Sequence, residues 1–267
     1  MKNRNYALIT GAGEGLGKSI ALELARNNWN LILVALPGPQ VSHLSGMLRR
    51  NYDIDVQTAE TDLSEEANCN ALLGQFGHLP ISLLVNNAGM GGTIAFEEAD
   101  PQYFCSQIRI NVLAITLLTR LFLPVLQKNE PANIINISSL SCFFALPYKQ
   151  VYAATKAFVF SFSRSLYKEL RGTGIGVTVV CPGGMNTNPS VTYKNQQASW
   201  IARQSLMRIE EVAPVIIKEA LQGKFLVVPG KMNRLFLLLD KIFPAFLKDL
   251  INRAQMSKLR RGWQQAV

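Results

Sequence analysis

The chain has few of the side chains from which metal sites are built. Its 267 residues include only 4 cysteines and 2 histidines. The cysteines lie at least 36 residues apart, no Cys-x-x-Cys pair occurs, and neither histidine has a second ligand at metal-binding spacing. The sequence therefore predicts no metal site, and it predicts reduced thiols with packing roles in a cytoplasmic protein. These thiols belong to Cys69, Cys105, Cys142 and Cys181.

The chain also lacks linkers, repeats and a recognisable leader. No Ser/Gly/Pro-rich tract divides it, and its length and 48% hydrophobic content suit one α/β domain. The first ten residues show neither the long apolar region nor the cleavage site of a signal peptide. The most apolar helical segment, Val112–Leu126, is interrupted by Arg120 and Pro124 and is shorter than the ~20 residues that span a bilayer. It is predicted to be a buried helix.

Basic residues outnumber acidic residues, and the excess is largest near the C-terminus. The net charge is +9, and residues 231–267 hold eight basic and two acidic side chains. These residues are predicted to form an apolar, basic helical extension of a domain that covers residues 1–230. Such an extension could lie peripherally on an anionic membrane surface, pack against a partner subunit or cover a substrate pocket. Its charge forms no stripe interleaved with aromatic residues, so nucleic acid is not an expected partner.

Short runs rich in Val, Ile and Leu alternate with amphipathic helical segments along the chain. This alternation predicts an α/β fold, a doubly wound parallel sheet with helices on both faces. Ligands of such sheets bind outside the carboxyl ends of the strands. The predicted strands are Tyr6–Thr10, Leu31–Ala35, Val56–Glu60, Leu83–Asn86, Asn133–Ser138, Val177–Cys181 and Phe225–Val228. The predicted helices are Leu16–Asn27, Val41–Tyr52, Ser64–Phe76, Pro101–Lys128, Val151–Arg171 and Glu210–Leu221.

A glycine-rich turn, Thr10–Gly17, joins the first predicted strand to the first predicted helix. Glycine permits positive φ and close backbone approach, and the N-terminus of the helix offers N–H groups to a pyrophosphate. The Gly-x-x-x-Gly-x-Gly spacing differs from the usual dinucleotide fingerprint, and such a turn can also be purely structural. Its position after the first strand favours cofactor binding.

Tyr152 and Lys156 lie four residues apart in a predicted helix, so both side chains project from one face. An ammonium beside a phenol favours the phenolate and is therefore predicted to lower the tyrosine pKa from about 10. A tyrosine with a lowered pKa is a usable general acid/base near neutral pH. Because such a pair arises by chance on many helices, its meaning depends on the motifs around it.

Several motifs accompany this pair in a specific order. They are Gly11-x-x-x-Gly15-x-Gly17, Asn86-Asn87-Ala88-Gly89, Ser139 and Pro182-Gly183. With Tyr152 and Lys156 they resemble the short-chain dehydrogenase/reductase family, over about Tyr6 to Phe225. The resemblance implies a Rossmann-type fold, a nicotinamide cofactor and hydride transfer between a carbinol and a carbonyl. It also implies homodimers or homotetramers formed through the predicted helices Pro101–Lys128 and Val151–Arg171.

The resemblance also implies roles for four catalytic residues. Tyr152 would exchange a proton with the substrate oxygen, while Lys156 would lower its pKa and bind the nicotinamide ribose. Ser139 would hydrogen-bond the substrate oxygen, where charge develops in the transition state. Its rival is Ser138, which points the other way if the strand continues that far. Asn111 would hold a water in the proton relay, and the alternative for it is a helix-surface amide.

The same resemblance assigns cofactor contacts along the carboxyl edge of the sheet. Asp62 would lie near the adenine amino group, and Thr187 would contact the nicotinamide amide. Asp62 could equally cap the helix that starts near Ser64, and the proline and glycines of Pro182–Thr187 could merely end a strand. The cofactor-binding set is Gly11, Gly15, Leu16, Gly17, Asp62, Leu63, Asn86, Ala88, Gly89, Tyr152, Lys156, Pro182, Gly183 and Thr187.

The choice between NAD and NADP is normally encoded at the end of the second strand. An acidic residue there binds the ribose 2′-hydroxyl of NAD, and an arginine accepts the 2′-phosphate of NADP. The segment Val34–Gly38 contains neither. Glu14 in the glycine-rich turn would repel a phosphate. The missing carboxylate nevertheless favours NADP(H) slightly within a general NAD(P) expectation.

Apolar and aromatic residues dominate the segments expected around the substrate. Gly183–Met207 forms a substrate lid in the family, and Phe143, Phe144 and Leu146 precede the tyrosine. They predict a hydrophobic carbonyl or alcohol substrate, although ordinary core packing explains them equally well. The predicted function is an NAD(P)-dependent oxidoreductase. The alternatives are a membrane-associated interaction or sensor protein that binds the cofactor without turnover, and an enzyme that uses it for epimerisation or dehydration.

Overall fold

The computed structural model describes residues 5–185 and 206–242, and it forms one α/β domain. The strands are β1 Tyr6–Thr10, β2 Asn30–Ala35, β3 Val56–Glu60, β4 Ile81–Asn86, β5 Ala132–Ile137, β6 Ile175–Val180 and β7 Leu226–Val227. The helices are α1 Gly15–Arg26, α2 Pro39–Asn51, α3 Glu66–Phe76, α4 Pro101–Ile108, α5 Ala114–Lys128, α6 Gln150–Glu169, α7 Ile209–Leu221 and α8 Lys231–Ile242. A π-helical turn, Arg109–Leu113, joins α4 to α5, and a 3-10 turn, Leu140–Phe143, follows β5.

All paired strands run parallel in the order β3-β2-β1-β4-β5-β6-β7. The chain builds outward from β1 through β2 and β3, and then returns to start the other half with β4. The strand order reverses between β1 and β4, and ligands of open α/β sheets bind in the crevice at such a point. The predicted Rossmann-type, doubly wound sheet is confirmed, and each predicted strand lies within two residues of an observed one.

Two hydrophobic layers cover the faces of the sheet. Successive residues of β2 alternate between them, with Leu31 and Leu33 in the layer under α1, α2 and α7. Ile32 and Val34 belong to the opposite layer, under α3 and α5. All four side chains are completely buried. A strand buried on both faces needs a continuous apolar sequence, which is why the predicted strands lack an apolar–polar alternation.

The helical stretch Pro101–Lys128 is, among the described residues, the one long and apolar enough to cross a membrane. Its second half, α5, lies against the sheet, where Leu118, Phe122 and Leu126 are buried in the layer under α3 and α5. Packing in the core therefore accounts for the apolar residues on the buried face of α5, whereas Ile108 and Leu113 earlier in the same stretch are exposed. The stretch was predicted as one regular helix, but the π-helical turn interrupts it at Asn111.

The start of the predicted C-terminal extension is helical. In α8, Asn233 is buried and donates a hydrogen bond to the Pro229 carbonyl, whereas Leu235 and Leu238 are exposed. Leu237 packs against a small cluster around Val179 and Cys181. This contact attaches the beginning of the extension to the side of the sheet formed by β6 and β7. Residues 243–267 lie outside the described part of the chain.

Candidate active site

The glycine-rich turn between β1 and α1 contains two glycines, Gly11 and Gly17, against which other segments of the chain pack closely. Gly11 has φ +64°, and a Cβ there would lie 2.9 Å from the Ala88 backbone. A Cβ at Gly17 would lie 2.1 Å from the Gly11 carbonyl oxygen and 2.6 Å from the Asn87 side chain. Gly15 has φ +54°. These positions require glycine because the turn folds tightly against the end of β4.

Thr10 and Asn87 fasten this turn to the end of β4. The Thr10 hydroxyl oxygen accepts hydrogen bonds from the backbone N–H groups of Asn87, at 2.9 Å, and Ala88, at 3.0 Å. The Asn87 amide donates in return to the Thr10 and Gly11 carbonyls. Sequence reasoning placed both residues in motifs but assigned them no role. A contact between the two motifs could have been predicted because one follows β1 and the other follows β4. These two strands are neighbours at the point where the strand order reverses.

The turn fits the pyrophosphate of a dinucleotide cofactor. Helix α1 begins at Gly15, has no acidic residue in its first turn, and makes no side-chain cap hydrogen bond from Glu14. Its first N–H groups are therefore available to an anion, and the helix dipole favours negative charge at this point. The side chain of Leu16 is buried in the core, so its predicted cofactor contact can come only from its backbone.

A chain of buried polar side chains runs beneath the site from α5 to α6. The Asn86 amide donates to the Thr119 hydroxyl, at 3.1 Å, and to the Asn136 side-chain oxygen, at 2.8 Å. The Asn136 amide donates to the Ser163 hydroxyl at 2.9 Å. Asn86, Asn136 and Ser163 have no exposed surface. These hydrogen bonds hold the Asn86 side chain between β5 and α5, and the predicted cofactor contacts of Asn86, Ala88 and Gly89 stay predictions.

Asn111 fixes the loop after β4 to helix α6. Its side-chain oxygen accepts from the Met90 N–H at 2.8 Å, and its amide donates to the Met90 carbonyl and the Thr155 hydroxyl. The side chain is completely buried, so the helix-surface alternative is excluded. A Cβ added at Gly89 would lie 3.0 Å from the Asn111 side-chain oxygen and 3.4 Å from Lys156 Nζ. Asn111 thus lies beside the lysine, although the water that the resemblance implies for it stays a prediction.

Tyr152, Lys156 and Ser139 meet at the carboxyl edge, on α6 and the turn after β5. The lysine ammonium lies 5.9 Å from the centre of the tyrosine ring and donates to the Ile137 carbonyl at 2.9 Å. Ser139 accepts a hydrogen bond from the Ser141 N–H, and the hydroxyls of both serines lie near Tyr152 and act to lower its pKa. Ser138 donates instead to the Lys156 carbonyl at 2.7 Å. Ser138 and Ser139 therefore face different groups, and Ser139 is the one beside the tyrosine.

The pKa of Tyr152 differs from the value that the sequence predicted. Desolvation raises the pKa of Tyr152 above its ordinary value of 10.0, against the opposing effect of the nearby Ser139 and Ser141 hydroxyls. Burial also lowers the pKa of Lys156 to about 8. In both residues the loss of contact with water disfavours the charged form. The predicted lowering of the tyrosine pKa is therefore not found without a ligand.

Four further predicted cofactor residues belong to the described part of the chain, namely Asp62, Leu63, Pro182 and Gly183. Pro182 follows β6, and its carbonyl accepts from the Leu140 N–H, which places Pro182-Gly183 beside the turn that carries Ser139. The Asp62 carboxylate accepts from the Ser64 N–H at 2.9 Å in a local turn, but α3 begins only at Glu66 with Glu65 as its N-cap, so Asp62 does not cap the helix. Leu63 is buried in the core. Thr187 and most of the predicted lid Gly183–Met207 lie outside the described residues.

An open cavity of about 670 Å³ lies beside helix α6. It lies between the loop Cys142–Pro147 and the first turns of α6, where Ala153 and Ala154 contribute to its wall. Phe143, predicted as a substrate contact, packs edge-on against Phe160 at a centroid distance of 5.0 Å. The lining is mostly apolar, so the cavity suits a hydrophobic ligand.

Two thiols lie at the inner end of this cavity. Cys142 Sγ is 3.8 Å from Cys181 Sγ. This hydrogen bond lowers the pKa of Cys142, against the opposing effect of its burial, and raises the pKa of Cys181, where burial acts in the same direction. Cys142 lines the cavity, whereas Cys181 is fully buried behind it.

This arrangement predicts which thiols react in the native protein. N-ethylmaleimide is expected to modify Cys142, through the cavity, and the exposed Cys105, but to spare the buried Cys69 and Cys181. Peptide mass spectrometry before and after denaturation would identify the sites. The variants Cys142→Ala and Cys105→Ala should each lose one native modification. Modification of Cys181 in the folded protein would contradict this arrangement.

Comparison with known proteins identifies the class to which this fold and site belong. The family model described as short chain dehydrogenase matches residues 5–198. The chain therefore belongs to the short-chain dehydrogenase/reductase family.

Individual relatives resemble the chain over most of its length. The very-long-chain 3-oxoacyl-CoA reductase of Rattus norvegicus is 34% identical over 187 residues, which cover 66% of this chain and 58% of the relative. The chain thus matches little more than half of that protein. A short-chain dehydrogenase from Sphingobium yanoikuyae in complex with NADPH is 25% identical, with a TM-score of 0.77 and coverage of 96% of this chain and 95% of its own. A family member from Burkholderia phymatum in complex with NAD has a TM-score of 0.77 at 24% identity, covering 90% and 92%.

Proposed function

We propose that the chain is an NAD(P)-dependent oxidoreductase that interconverts a ketone and a secondary alcohol on a hydrophobic substrate. The observation that carries this proposal is the meeting of Ser139, Tyr152 and Lys156 beside a glycine turn suited to a pyrophosphate. Membership of a family of dehydrogenases supports the same conclusion.

Each residue of the catalytic group has a role that follows from its position. The bound nicotinamide would supply or accept the hydride. The Ser139 hydroxyl would donate a hydrogen bond to the substrate oxygen as negative charge develops there. Tyr152 would pass its proton to that oxygen during reduction and remove it during oxidation. Lys156, held by the Ile137 carbonyl at 2.9 Å, would orient the cofactor ribose and supply positive charge near the phenol.

The raised pKa of Tyr152 keeps its phenol protonated near neutral pH, which is the form that reduction requires. A phenol with a pKa above 10 stays protonated and is a proton donor, whereas alcohol oxidation needs the phenolate. The kcat for reduction is therefore expected to be constant from about pH 6 to pH 7 and to fall at higher pH, first as Lys156 loses its charge near pH 8 and then as Tyr152 loses its proton. The kcat for oxidation should rise with pH from about pH 6 to pH 7, where Lys156 keeps its charge. Reduction whose kcat rises with pH from pH 6 to pH 7, with saturating cofactor, would contradict this assignment of the proton donor.

The cavity beside α6 supports a hydrophobic substrate. Its wall carries Phe143, Phe144 and Leu146, three of the residues that the sequence singled out. The rat relative is named as a reductase of very-long-chain 3-oxoacyl-CoA, which is a carbonyl compound with a long apolar chain. We therefore propose 3-oxoacyl thioesters and bulky apolar ketones as the first substrate classes to test.

The proposal is tested by adding such carbonyl compounds to the protein with NADH or NADPH and following cofactor absorbance. Consumption of cofactor, with the alcohol identified by mass spectrometry, is the expected result. Cofactor binding without turnover on the whole panel would favour the sensor alternative. A product formed without net oxidation of cofactor would indicate epimerisation or dehydration.

We also propose a homo-oligomeric cytoplasmic protein with the domain covering residues 1–230 and the extension 231–267. Exposed apolar side chains on the helical stretch Pro101–Lys128 and on α6, among them Ile108, Leu113 and Phe158, support subunit contacts there. Leu235 and Leu238 on α8 are exposed, so the extension could contact either a partner subunit or a membrane surface through them. Light scattering and vesicle sedimentation would distinguish these arrangements.

A further inference from the structure

The carboxylate that is missing from the end of β2 is supplied by the neighbouring strand. Parallel pairing places Glu60, the last residue of β3, opposite Ala35, the last residue of β2. The Thr61 N–H donates to the Ala35 carbonyl at 2.8 Å and continues this pairing beyond the strands. The Glu60 side chain is thereby brought to the carboxyl edge beside the segment Val34–Gly38.

Two hydrogen bonds hold the Glu60 carboxylate at the start of α2. One oxygen accepts from the Gly38 N–H at 3.1 Å, and the other accepts from the Ser42 hydroxyl at 3.0 Å. These contacts fix the orientation of an otherwise exposed side chain. The negative charge is therefore localised at the turn that follows β2.

This turn is continuous with the glycine turn that would hold the cofactor pyrophosphate. A Cβ added at Gly13 would lie 3.4 Å from both Ala35 Cβ and Gln40 Cβ. A dinucleotide lying on the glycine turn would extend its adenosine over the end of β2. Its ribose would then approach the turn that carries the Glu60 carboxylate.

The local backbone also offers little to a phosphate. The N-terminus of a helix normally binds anions through its free N–H groups. At α2, Glu60 already occupies the Gly38 N–H, and the next residue, Pro39, has none. Glu14, exposed at the start of α1, adds a second acidic side chain to the same edge.

We infer that Glu60 sets cofactor choice in this protein and favours NAD(H) over NADP(H). The carboxylate accepts a hydrogen bond from a ribose 2′-hydroxyl and repels a 2′-phosphate. This inference rests on the proposed function, because it requires a dinucleotide on the glycine turn. It reverses the slight preference for NADP(H) drawn from the sequence, which weighed the segment Val34–Gly38 and Glu14 but not Glu60.

The test compares the binding of NADH and NADPH by titration calorimetry, which requires no substrate. The wild-type protein is expected to bind NADH at least about tenfold more tightly than NADPH. Glu60→Gln keeps the side-chain shape but removes the charge, and should reduce this ratio about tenfold, chiefly by improving NADPH binding. Glu169→Gln removes an exposed acid from the last residue of α6 and should leave the ratio unchanged.

The possible outcomes separate this inference from the proposed function. Tighter binding of NADPH by the wild-type protein, or an unchanged ratio in a folded Glu60→Gln variant, would overturn the role of Glu60 alone. Binding of neither nucleotide would overturn the proposed function as well. Should Glu60→Gln fail to fold, Leu36→Arg tests the same point, because Leu36 is 64% exposed beside this turn. An arginine there should improve NADPH binding by offsetting Glu60, and no improvement would overturn the inference.

Discussion

Replacing Tyr152 with phenylalanine is expected to reduce kcat by at least about 10³-fold while leaving cofactor affinity nearly unchanged. The substitution removes the hydroxyl that lies near Ser139 and keeps the ring whose centre is 5.9 Å from the Lys156 ammonium. Proton transfer would then depend on water, whereas the glycine turn and Lys156 would still hold the cofactor. Steady-state kinetics and titration with NADH and NADPH measure the two effects separately.

Tyr167→Phe is the matched control for this experiment. Tyr167 lies on the same helix, and its ring packs against Phe225 at a centroid distance of 4.9 Å, away from Ser139 and Lys156. The control variant should retain full turnover. A Tyr152→Phe enzyme with wild-type kcat would refute the assignment of Tyr152 as the general acid. An equal loss in both variants would point to damage of α6 rather than to chemistry.

The second large effect is expected from Gly17→Ala. Both Gly17 and Gly46 lie inside helices, so alanine improves helix propensity at each by up to about 1 kcal/mol. At Gly17 the added methyl would lie 2.1 Å from the Gly11 carbonyl oxygen, whereas at Gly46 nothing lies within 4 Å. Gly17→Ala must push the glycine turn away from α1, at a cost of about 1–3 kcal/mol or more. It should also abolish measurable cofactor binding.

Urea unfolding of the two variants provides the comparison. Gly46→Ala should be as stable as the wild-type protein or slightly more so, with unchanged cofactor affinity. Gly17→Ala should unfold at lower urea concentration and bind neither nucleotide. If Gly17→Ala bound cofactor normally, the glycine turn would not be the pyrophosphate site. That result would remove the structural basis for the proposed catalysis.

The sequence contains enough local information to predict most of the architecture. Strands buried on both faces are continuous apolar runs, so Leu31–Ala35 could be recognised without knowing its neighbours. The pair Tyr152 and Lys156 could be recognised because both belong to one helix face. The choice of Ser139 came from the family resemblance, and the structure agrees with it, since Ser139 lies near the Tyr152 hydroxyl whereas Ser138 donates to the Lys156 carbonyl.

The features that could not be predicted depend on contacts between distant segments. Glu60 meets the turn after β2 only because β2 and β3 pair in a particular register. The pKa of Tyr152 depends on how much protein encloses it, which no spacing rule reports. Likewise, Asp62 was equally consistent with a cofactor contact and a helix cap, and its hydrogen bond to the Ser64 N–H appears only in three dimensions.

The π-helical turn Arg109–Leu113 rotates the residues of α5 about the helix axis relative to those of α4. A π turn accommodates one residue more than an α turn, and each residue rotates an α-helix by about 100°. The apolar stripes of α4 and α5 are therefore offset from each other, and a single 3.6-residue pattern cannot describe both. Deleting one residue within Arg109–Leu113 would restore a regular helix at the expense of this offset. Asn111 would then turn away from Met90 and Thr155, so the spacing of this stretch is constrained as strictly as the identity of its asparagine.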